Sequence, residues 1–291
     1  METVLLGTGA ADGCPNAFCR CDSCTSALRR RDIRGQTAAL VDGTLLIDCG
    51  PEVPAAAARL GRTLSDVRTI LITHDHPDHF GPQALLFRSW IADAGPLDLV
   101  GPADILDRAG DWIGPDDPVT LRPVAVGDRI ALSGYDIQVL EAKHHVYHTG
   151  DSVLYDVTGP DGSRILWATD TGPPTEDWFV QIAGARYDAV FLDTTFGDTR
   201  HSPGHHTLDD ALTTISALRT CGAIHDTTEV VGVHMSHHHR SIDHVAATLA
   251  AVGARPGADG DVVVSPPAHP ARAINPSLGT EAGIGRSGRP R

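Results

Sequence analysis

The chain has 291 residues, of which 41% are hydrophobic and 21% charged, and its formal charge is −14. This composition is typical of a globular protein, and no apolar stretch reaches the length of a membrane span. The acidic charge argues against nucleic acid as a partner, because such binding depends on Lys and Arg neutralising phosphates. The sequence opens directly on a strand-like segment without the basic and apolar run of a secretory signal, so we expect a cytoplasmic protein.

A cluster of cysteines follows the first predicted strand. Cys19, Cys21 and Cys24 have the spacing Cys-x-Cys-x-x-Cys. In a reducing compartment this close spacing predicts metal binding rather than disulfides. Three thiolates need a fourth ligand from elsewhere in the chain, and the alternative is a set of unpaired cysteines near a turn.

Short apolar runs recur along the chain and indicate buried strands. They lie at residues 4–6, 45–47, 70–72, 97–100, 137–140, 165–167, 189–192 and 230–233. Between them lie helical patterns such as the apolar stripe from Leu208 to Leu218, and this alternation predicts a layered α/β protein. Residues 266–291 shift to Pro, Gly, Ala and Arg, so we expect one folded domain of residues 1–265 and a disordered tail.

The strand at 70–72 leads into the most informative segment of the chain. Residues 73–79 read Thr-His-Asp-His-Pro-Asp-His. Imidazole and carboxylate groups are ligands for zinc, iron or manganese, and a strand that delivers several of them onto one short loop favours a metal site. The alternative is a solvated loop that is merely rich in histidine.

Three more polar clusters follow later strands. They contain His144 with the adjacent His145, then Asp170, and then His234. Taken singly, a His or Asp at the end of a strand is often a cap or turn residue. Together with residues 73–79, they indicate one metal site at a shared edge of a sheet.

The order of these clusters resembles the metallo-β-lactamase superfamily. The segment Leu-Ile-Asp-Cys-Gly at 46–50 is similar to its first motif, in which the aspartate, here Asp48, supports the metal-bearing loop. The resemblance implies a four-layer αββα sandwich with the metals at one edge of two packed sheets. It also implies that His74, His76 and His144 bind one metal, that Asp78, His79 and His234 bind the other, and that Asp170 bridges them. His145 and His148 remain alternatives to His144.

The cysteine motif narrows the resemblance to one branch. Together with Gly-Thr-Gly at 7–9 and with His237, it resembles the cyclic-phosphate phosphodiesterase family of the carbon–phosphorus lyase pathway, in the ribonuclease-Z-like branch. That resemblance implies a structural zinc bound by Cys19, Cys21, Cys24 and His237. Other segments are similar to metallohydrolase domains associated with adenosylcobinamide kinases, and the cysteine motif also resembles the B protein of pyrroloquinoline quinone biosynthesis.

These patterns predict a dinuclear metal-dependent hydrolase, most simply a phosphodiesterase that cleaves a small cyclic or nucleotide-like phosphate ester. The expected cofactors are two divalent ions, zinc or manganese, besides the structural zinc. The expected nucleophile is a hydroxide held between the two ions. Asp78 and His206 are the expected catalytic residues, with His206 as general acid and the adjacent His205 as the alternative. No membrane partner is expected, and the assembly is left open between a monomer and a homodimer.

Two other functions stay open. A tRNA 3′-processing-like endonuclease shares the expected fold, although the acidic charge argues against it. A metal-dependent oxidase or hydroxylase of cofactor biosynthesis would use the same ligands with iron. Trp90, Trp178 and Phe179 lie in segments that would border the site, where they either stack on a substrate ring or pack in the core, and core packing is the expected role.

Overall fold

The computed structural model describes residues 1–145, 152–199 and 204–267, which form two seven-stranded mixed sheets. In spatial order, the first sheet consists of β14 (Val262–Val264), β1 (Glu2–Gly7), β2 (Ala38–Val41), β3 (Leu45–Ile47), β4 (Thr69–Leu71), β5 (Leu97–Gly101) and β6 (Val119–Pro123). The second consists of β13 (Ala254–Pro256), β12 (Glu229–Val233), β11 (Ala189–Asp193), β10 (Arg164–Ala168), β9 (Val153–Thr158), β8 (Tyr135–Glu141) and β7 (Arg129–Leu132).

Seven helices are found in the described residues. They are α1 (Asp22–Arg30), α2 (Val53–Arg59), α3 (Gln83–Ser89), α4 (Ala103–Gly110), α5 (Glu176–Gln181), α6 (Leu208–Thr220) and α7 (Ile242–Ala250). The start of α6 is fixed by a capping box, in which Thr207 and Asp210 satisfy each other's backbone N–H groups. Helices α2, α3 and α4 cover the outer face of the first sheet, and α5, α6 and α7 cover that of the second.

The packing explains why the strands are apolar on both faces. In β3, Leu45 and Ile47 face the second sheet, whereas Leu46 packs beneath the helices of the first sheet. In β10, Trp167 lies between the sheets and Leu166 beneath the helices of the second sheet. Because successive side chains point to opposite faces, a strand that is covered on both sides needs an unbroken apolar run. The predicted four-layer αββα sandwich is confirmed.

The topology brings the polar strand ends together. β3 pairs in parallel with β4, and β10, β11 and β12 are likewise parallel neighbours. The carboxyl ends of parallel strands meet at one edge of a sheet, so the residues that follow them converge. The functional site lies at this edge, between the two sheets.

One packing prediction is wrong. Trp178 is buried as expected, with 2% of its surface exposed, but Trp90 is 69% exposed beyond the short helix α3.

Among the described residues no helix is long and apolar enough to cross a membrane. His148 and nearly all of the predicted tail, from residue 268 onward, lie outside the described residues.

Candidate metal centre

The first group of donor atoms consists of three imidazoles and a carboxylate. His74 Nε2 lies 2.9 Å from His76 Nδ1, and His144 Nε2 lies 3.1 Å from the same atom. Asp170 Oδ1 is 3.9 Å from the Nε2 atoms of both His74 and His144. One donor atom from each of these four residues lies within 4.8 Å of the others, which is the spacing of ligands around a single ion.

A second group lies beside the first. It contains Asp78, His79 and His234, all buried, with donor atoms within 4.8 Å of one another. The other carboxylate oxygen of Asp170, Oδ2, lies 3.0 Å from His79 Nε2 and 3.2 Å from His234 Nε2. The two oxygens of Asp170 therefore face different groups of histidines, as a bridging carboxylate does.

Other protein groups hold the far nitrogens of His79, His144 and His234. His79 Nδ1 lies 2.9 Å from Asp48 Oδ2, and His234 Nδ1 lies 2.8 Å from the Thr195 hydroxyl. His144 Nδ1 lies 2.9 Å from the carbonyl oxygen of residue 204. Asp48 also accepts hydrogen bonds from the backbone and hydroxyl of Thr73, so it supports the whole loop. Such outer contacts orient metal-ligating histidines.

Three residues of the site have left-handed backbone conformations that are uncommon outside glycine. The φ angles of Asp48, Asp170 and His234 are 60°, 54° and 58°. All three directly follow or closely follow the end of a strand, where this conformation turns the side chain into the site. Strained backbone of this kind is concentrated at functional sites, because a well-packed fold must hold it in place.

Burial and charge together set the protonation of the site. Burial lowers the pKa of His74, His76 and His144, which keeps these imidazoles neutral and able to bind a cation. Burial would also lower the pKa of His79, but the carboxylates of Asp170, Asp78 and Asp48 raise it well above its ordinary value. The three carboxylates therefore make this part of the site strongly negative, and a bound cation would balance their charge.

The donor set fits two divalent ions. In the first group, nitrogens from three imidazoles converge on one point. A neutral imidazole has only one N–H donor, so hydrogen bonds among the three rings are a weak reason for this convergence. A cation at that point would bind three lone pairs at once, and the second group offers two nitrogens with the oxygens of Asp78 and Asp170. Nitrogen and oxygen ligands suit zinc, manganese or iron.

The structure does not support the choice of His206 as general acid. Its side chain is fully buried, and both ring nitrogens are engaged, Nδ1 at 2.6 Å from the Thr171 carbonyl and Nε2 at 2.8 Å from the Thr214 hydroxyl. Burial lowers its pKa, so the ring is neutral near pH 7 and carries no second ring proton to give to a leaving group. His206 instead joins α6 to the loop that follows β10.

His205 lies at the metal centre instead. Its Nδ1 lies 3.0 Å from Asp193 Oδ2 and 3.9 Å from Asp170 Oδ1, and 17% of its side chain is exposed. Burial alone would lower its pKa, but the Asp193 carboxylate raises it to about 9. Sequence reasoning missed Asp193, although it ends β11 just as Asp170 follows β10.

The three cysteines also come together. The sulfur atoms of Cys19, Cys21 and Cys24 lie within 4.8 Å of one another at the start of α1. The Cys21 sulfur accepts the Cys24 backbone N–H, a contact that lowers the pKa of the Cys21 thiol. This described group does not include His237, whose Nδ1 lies 3.0 Å from an oxygen of Asp12. The fourth ligand therefore stays a prediction, although histidines that bind metals often donate their other nitrogen to a carboxylate.

Comparison with known proteins identifies the family. The family described as "Beta-lactamase superfamily domain" matches residues 44–235, about two thirds of the chain. The chain belongs to the beta-lactamase superfamily. Within it, the chain is a member of the hydrolase family that has the metallo-β-lactamase fold. The matched segment contains both donor groups but begins after the three cysteines.

Several solved structures share this fold over about nine tenths of the chain. Zinc-bound PqqB from Methylobacterium extorquens has a TM-score of 0.72 at 20% identity, over 91% of this chain and all of that chain. A diphosphatase from the PhnP family has a TM-score of 0.71 at 22% identity, over 90% of this chain and 97% of that chain. Human tRNase Z, short form, has a TM-score of 0.66 at 19% identity, over 91% of this chain and all of that chain. At these identities the likeness establishes the fold.

Curated relatives match shorter segments of the chain. Coenzyme PQQ synthesis protein B of Methylobacterium radiotolerans is 32% identical over 121 residues, 37% of this chain and 39% of that protein. Ribonuclease Z of Mycobacterium bovis is 26% identical over 195 residues, 60% of this chain and 64% of that protein. The chain spans less than two thirds of the length of the curated relatives it matches.

Proposed function

We propose that this protein is a dinuclear metal-dependent phosphodiesterase that cleaves a small cyclic or nucleotide-like phosphate ester. The observation that carries the proposal is the position of Asp170, whose two oxygens face two separate groups of histidines. Divalent ions bound there would activate water and neutralise charge on the phosphate. Membership of a hydrolase family supports the same reaction class.

The burial of the ligands indicates where a substrate would enter. His74 and His79 are fully buried, whereas His76 and His205 are partly exposed and Pro77 is exposed. A phosphate ester would therefore approach from the side of His76 and His205. On that side the leaving oxygen would lie next to His205, whose Nδ1 lies 3.0 Å from an oxygen of Asp193.

We assign the general acid to His205 and not to His206. Asp193 holds His205 at Nδ1, which leaves Nε2 to donate a proton to the departing oxygen. Asp193 is itself fixed by the backbone N–H groups of Thr171 and Thr195, at 3.3 and 2.9 Å. A carboxylate anchored in this way keeps the imidazole protonated and in one orientation.

The substrate class rests on charge and on likeness. A chain with a formal charge of −14 repels long anionic polymers more than it repels a single phosphate diester. The likeness to a diphosphatase from the PhnP family, which extends over nearly the whole fold, favours a small phosphorylated molecule.

The test is hydrolysis by the purified protein loaded with zinc or manganese. We expect cleavage of bis(p-nitrophenyl) phosphate and of a ribose 2′,3′-cyclic phosphate, and loss of both activities after chelation. Asp170→Asn should abolish both, whereas Asp116→Asn, at an exposed residue distant in sequence from every ligand, should not. Failure to cleave either ester with any of these metals would overturn the proposal.

A tRNA 3′-processing endonuclease is the second candidate, because the similarity to ribonuclease Z of Mycobacterium bovis extends over 195 residues. Cleavage of precursor tRNA at moderate salt, faster than that of the small esters, would favour it.

The likeness to PqqB keeps a metal-dependent oxidase or hydroxylase as a third candidate. Bound iron with oxygen consumption, in place of hydrolysis, would favour that function.

A further inference from the structure

Phe196 contacts the imidazole that we assign as general acid. Its ring centroid lies 5.4 Å from that of His205, with the two planes inclined by 49°. It also stacks on His238, at 5.1 Å between centroids and with the planes inclined by only 13°. Phe196 is partly buried, and His238 is exposed. A single phenyl ring therefore joins His205 to the loop that follows His234.

The backbone around Phe196 is held on both sides. Its N–H donates to the His206 carbonyl at 3.0 Å, and the N–H of Asp198 donates to the His238 carbonyl at 3.0 Å. Gly197, between them, is so close that a Cβ there would lie 2.8 Å from the His238 carbonyl oxygen. The phenyl ring is thus presented to His205 by a segment with little freedom to move.

His205 needs such a contact, because its other restraints do not fix the plane of its ring. The hydrogen bond to Asp193 fixes one nitrogen but leaves the imidazole able to tilt about that bond. Its remaining ring contacts are His144, at 4.6 Å, and His234, at 5.7 Å. Both belong to the metal-binding groups, so among the described residues Phe196 is the aromatic ring beside His205 that is not itself a candidate metal ligand.

We propose that Phe196 is a positioning residue for His205 and that its stacking on His238 holds it in place. The contact aims the free nitrogen of His205 at the leaving oxygen. This inference rests on the proposed function, because it assumes that His205 protonates that oxygen. Phe196 itself transfers no proton.

The choice of leaving group separates positioning from ordinary packing. A ribose alkoxide is a poor leaving group and needs a proton from His205, whereas p-nitrophenolate departs without one. A tilted imidazole should therefore slow the opening of a ribose 2′,3′-cyclic phosphate and leave the cleavage of bis(p-nitrophenyl) phosphate nearly unchanged. Loss of fold or of metal would slow both reactions alike.

The experiment compares Phe196→Leu, Phe196→Tyr and a control, Phe179→Leu, which changes a partly buried phenylalanine of α5. We expect Phe196→Leu to lower kcat for the cyclic phosphate about tenfold, with KM, metal content and bis(p-nitrophenyl) phosphate cleavage within about twofold of wild type. Phe196→Tyr, which keeps the ring, should restore kcat, His238→Ala should give a smaller loss, and the control should give none. Equal losses on both esters, or no loss, would overturn the inference.

A second measurement tests the positioning of His205 by Phe196 without using enzyme activity. The Nδ1 proton of His205, shared with Asp193, should give a slowly exchanging downfield NMR signal in the metal-loaded protein. We expect this signal to broaden or vanish in Phe196→Leu and to persist in Phe196→Tyr and Phe179→Leu. A wild-type protein that cleaves neither ester overturns the proposed function, whereas an unchanged signal in Phe196→Leu overturns the positioning role.

Discussion

Gly50 follows the Asp48 loop and lies against the backbone that carries two ligands of the second donor group. A Cβ at residue 50 would lie 1.9 Å from the carbonyl oxygen of Asp78 and 2.7 Å from its carbonyl carbon. Ordinary contact begins at 3.4 Å, so Gly50→Ala would require the two backbones to separate by about 1.5 Å. The side chain of Gln36, whose Oε1 would be 2.8 Å away, can move aside, but the two nearest obstructing atoms belong to the main chain.

The shift should damage the second donor group most. Asp78 and His79 would move relative to His234, so we expect affinity for the second metal to fall about 10- to 100-fold, as when outer support of a ligand is lost. Activity should fall about 100-fold, since displacements near 1 Å have that effect on catalysis. The crowding should also lower the free energy of unfolding by about 1–3 kcal/mol.

The assay is metal titration of Gly50→Ala monitored by competition with a chromophoric chelator, together with thermal denaturation. Gly110→Ala at the end of α4 is the matched control, because a Cβ there meets no atom within 4 Å. Wild-type affinity for both active-site ions, with activity within about twofold of wild type, would refute the reasoning.

Three further outcomes are expected. Asp48→Asn should lower metal affinity about 10- to 100-fold in the same titration, because it weakens the contact that orients His79; unchanged affinity would contradict this support. His205→Gln should slow the cyclic phosphate reaction about 100-fold with little change in stability, whereas His206→Ala should cost about 2–3 kcal/mol in chemical denaturation; the reverse pattern would restore His206 as general acid. Cys21→Ser should lose one zinc per chain by elemental analysis and melt at a lower temperature; an unchanged metal content would exclude the cysteine site.

Sequence patterns predicted eight of the fourteen strands found in the described residues, and the polar residues at their ends lie together in the structure. The segments at 45–47 and 189–192 are short, apolar and bounded by polar residues, and they form β3 and most of β11. Such segments are recognisable because both faces are covered, which leaves an unbroken apolar run. Their order along the chain, with His and Asp at the ends, indicated which edge would hold the site.

Side-chain direction could not be predicted in the same way. His205 and His206 are adjacent in sequence, and nothing in Gly-His-His-Thr tells which ring faces the metal centre. The capping box at Thr207 decides it, because it starts α6 so that His206 turns inward toward Thr214. Asp193 was missed for a related reason: its partner His205 is distant from the first histidine cluster, so the pair exists only in the folded protein.

The exposure of Trp90 was equally difficult to predict. Trp90 is apolar and follows a helical pattern, which favours core packing, yet α3 ends at Ser89 and leaves the indole largely in solvent. The composition of a segment indicates how much surface should be buried, whereas the end of a short helix depends on tertiary contacts.

The central claim is a dinuclear centre that hydrolyses a phosphate diester. The most direct test is to titrate metal-free Cys21→Ser protein with manganese while measuring hydrolysis of a ribose 2′,3′-cyclic phosphate. We predict that activity rises until two ions are bound per chain and then stays constant, since Asp170 faces two separate histidine groups. Full activity with a single ion, or no hydrolysis at any ratio, would contradict the account.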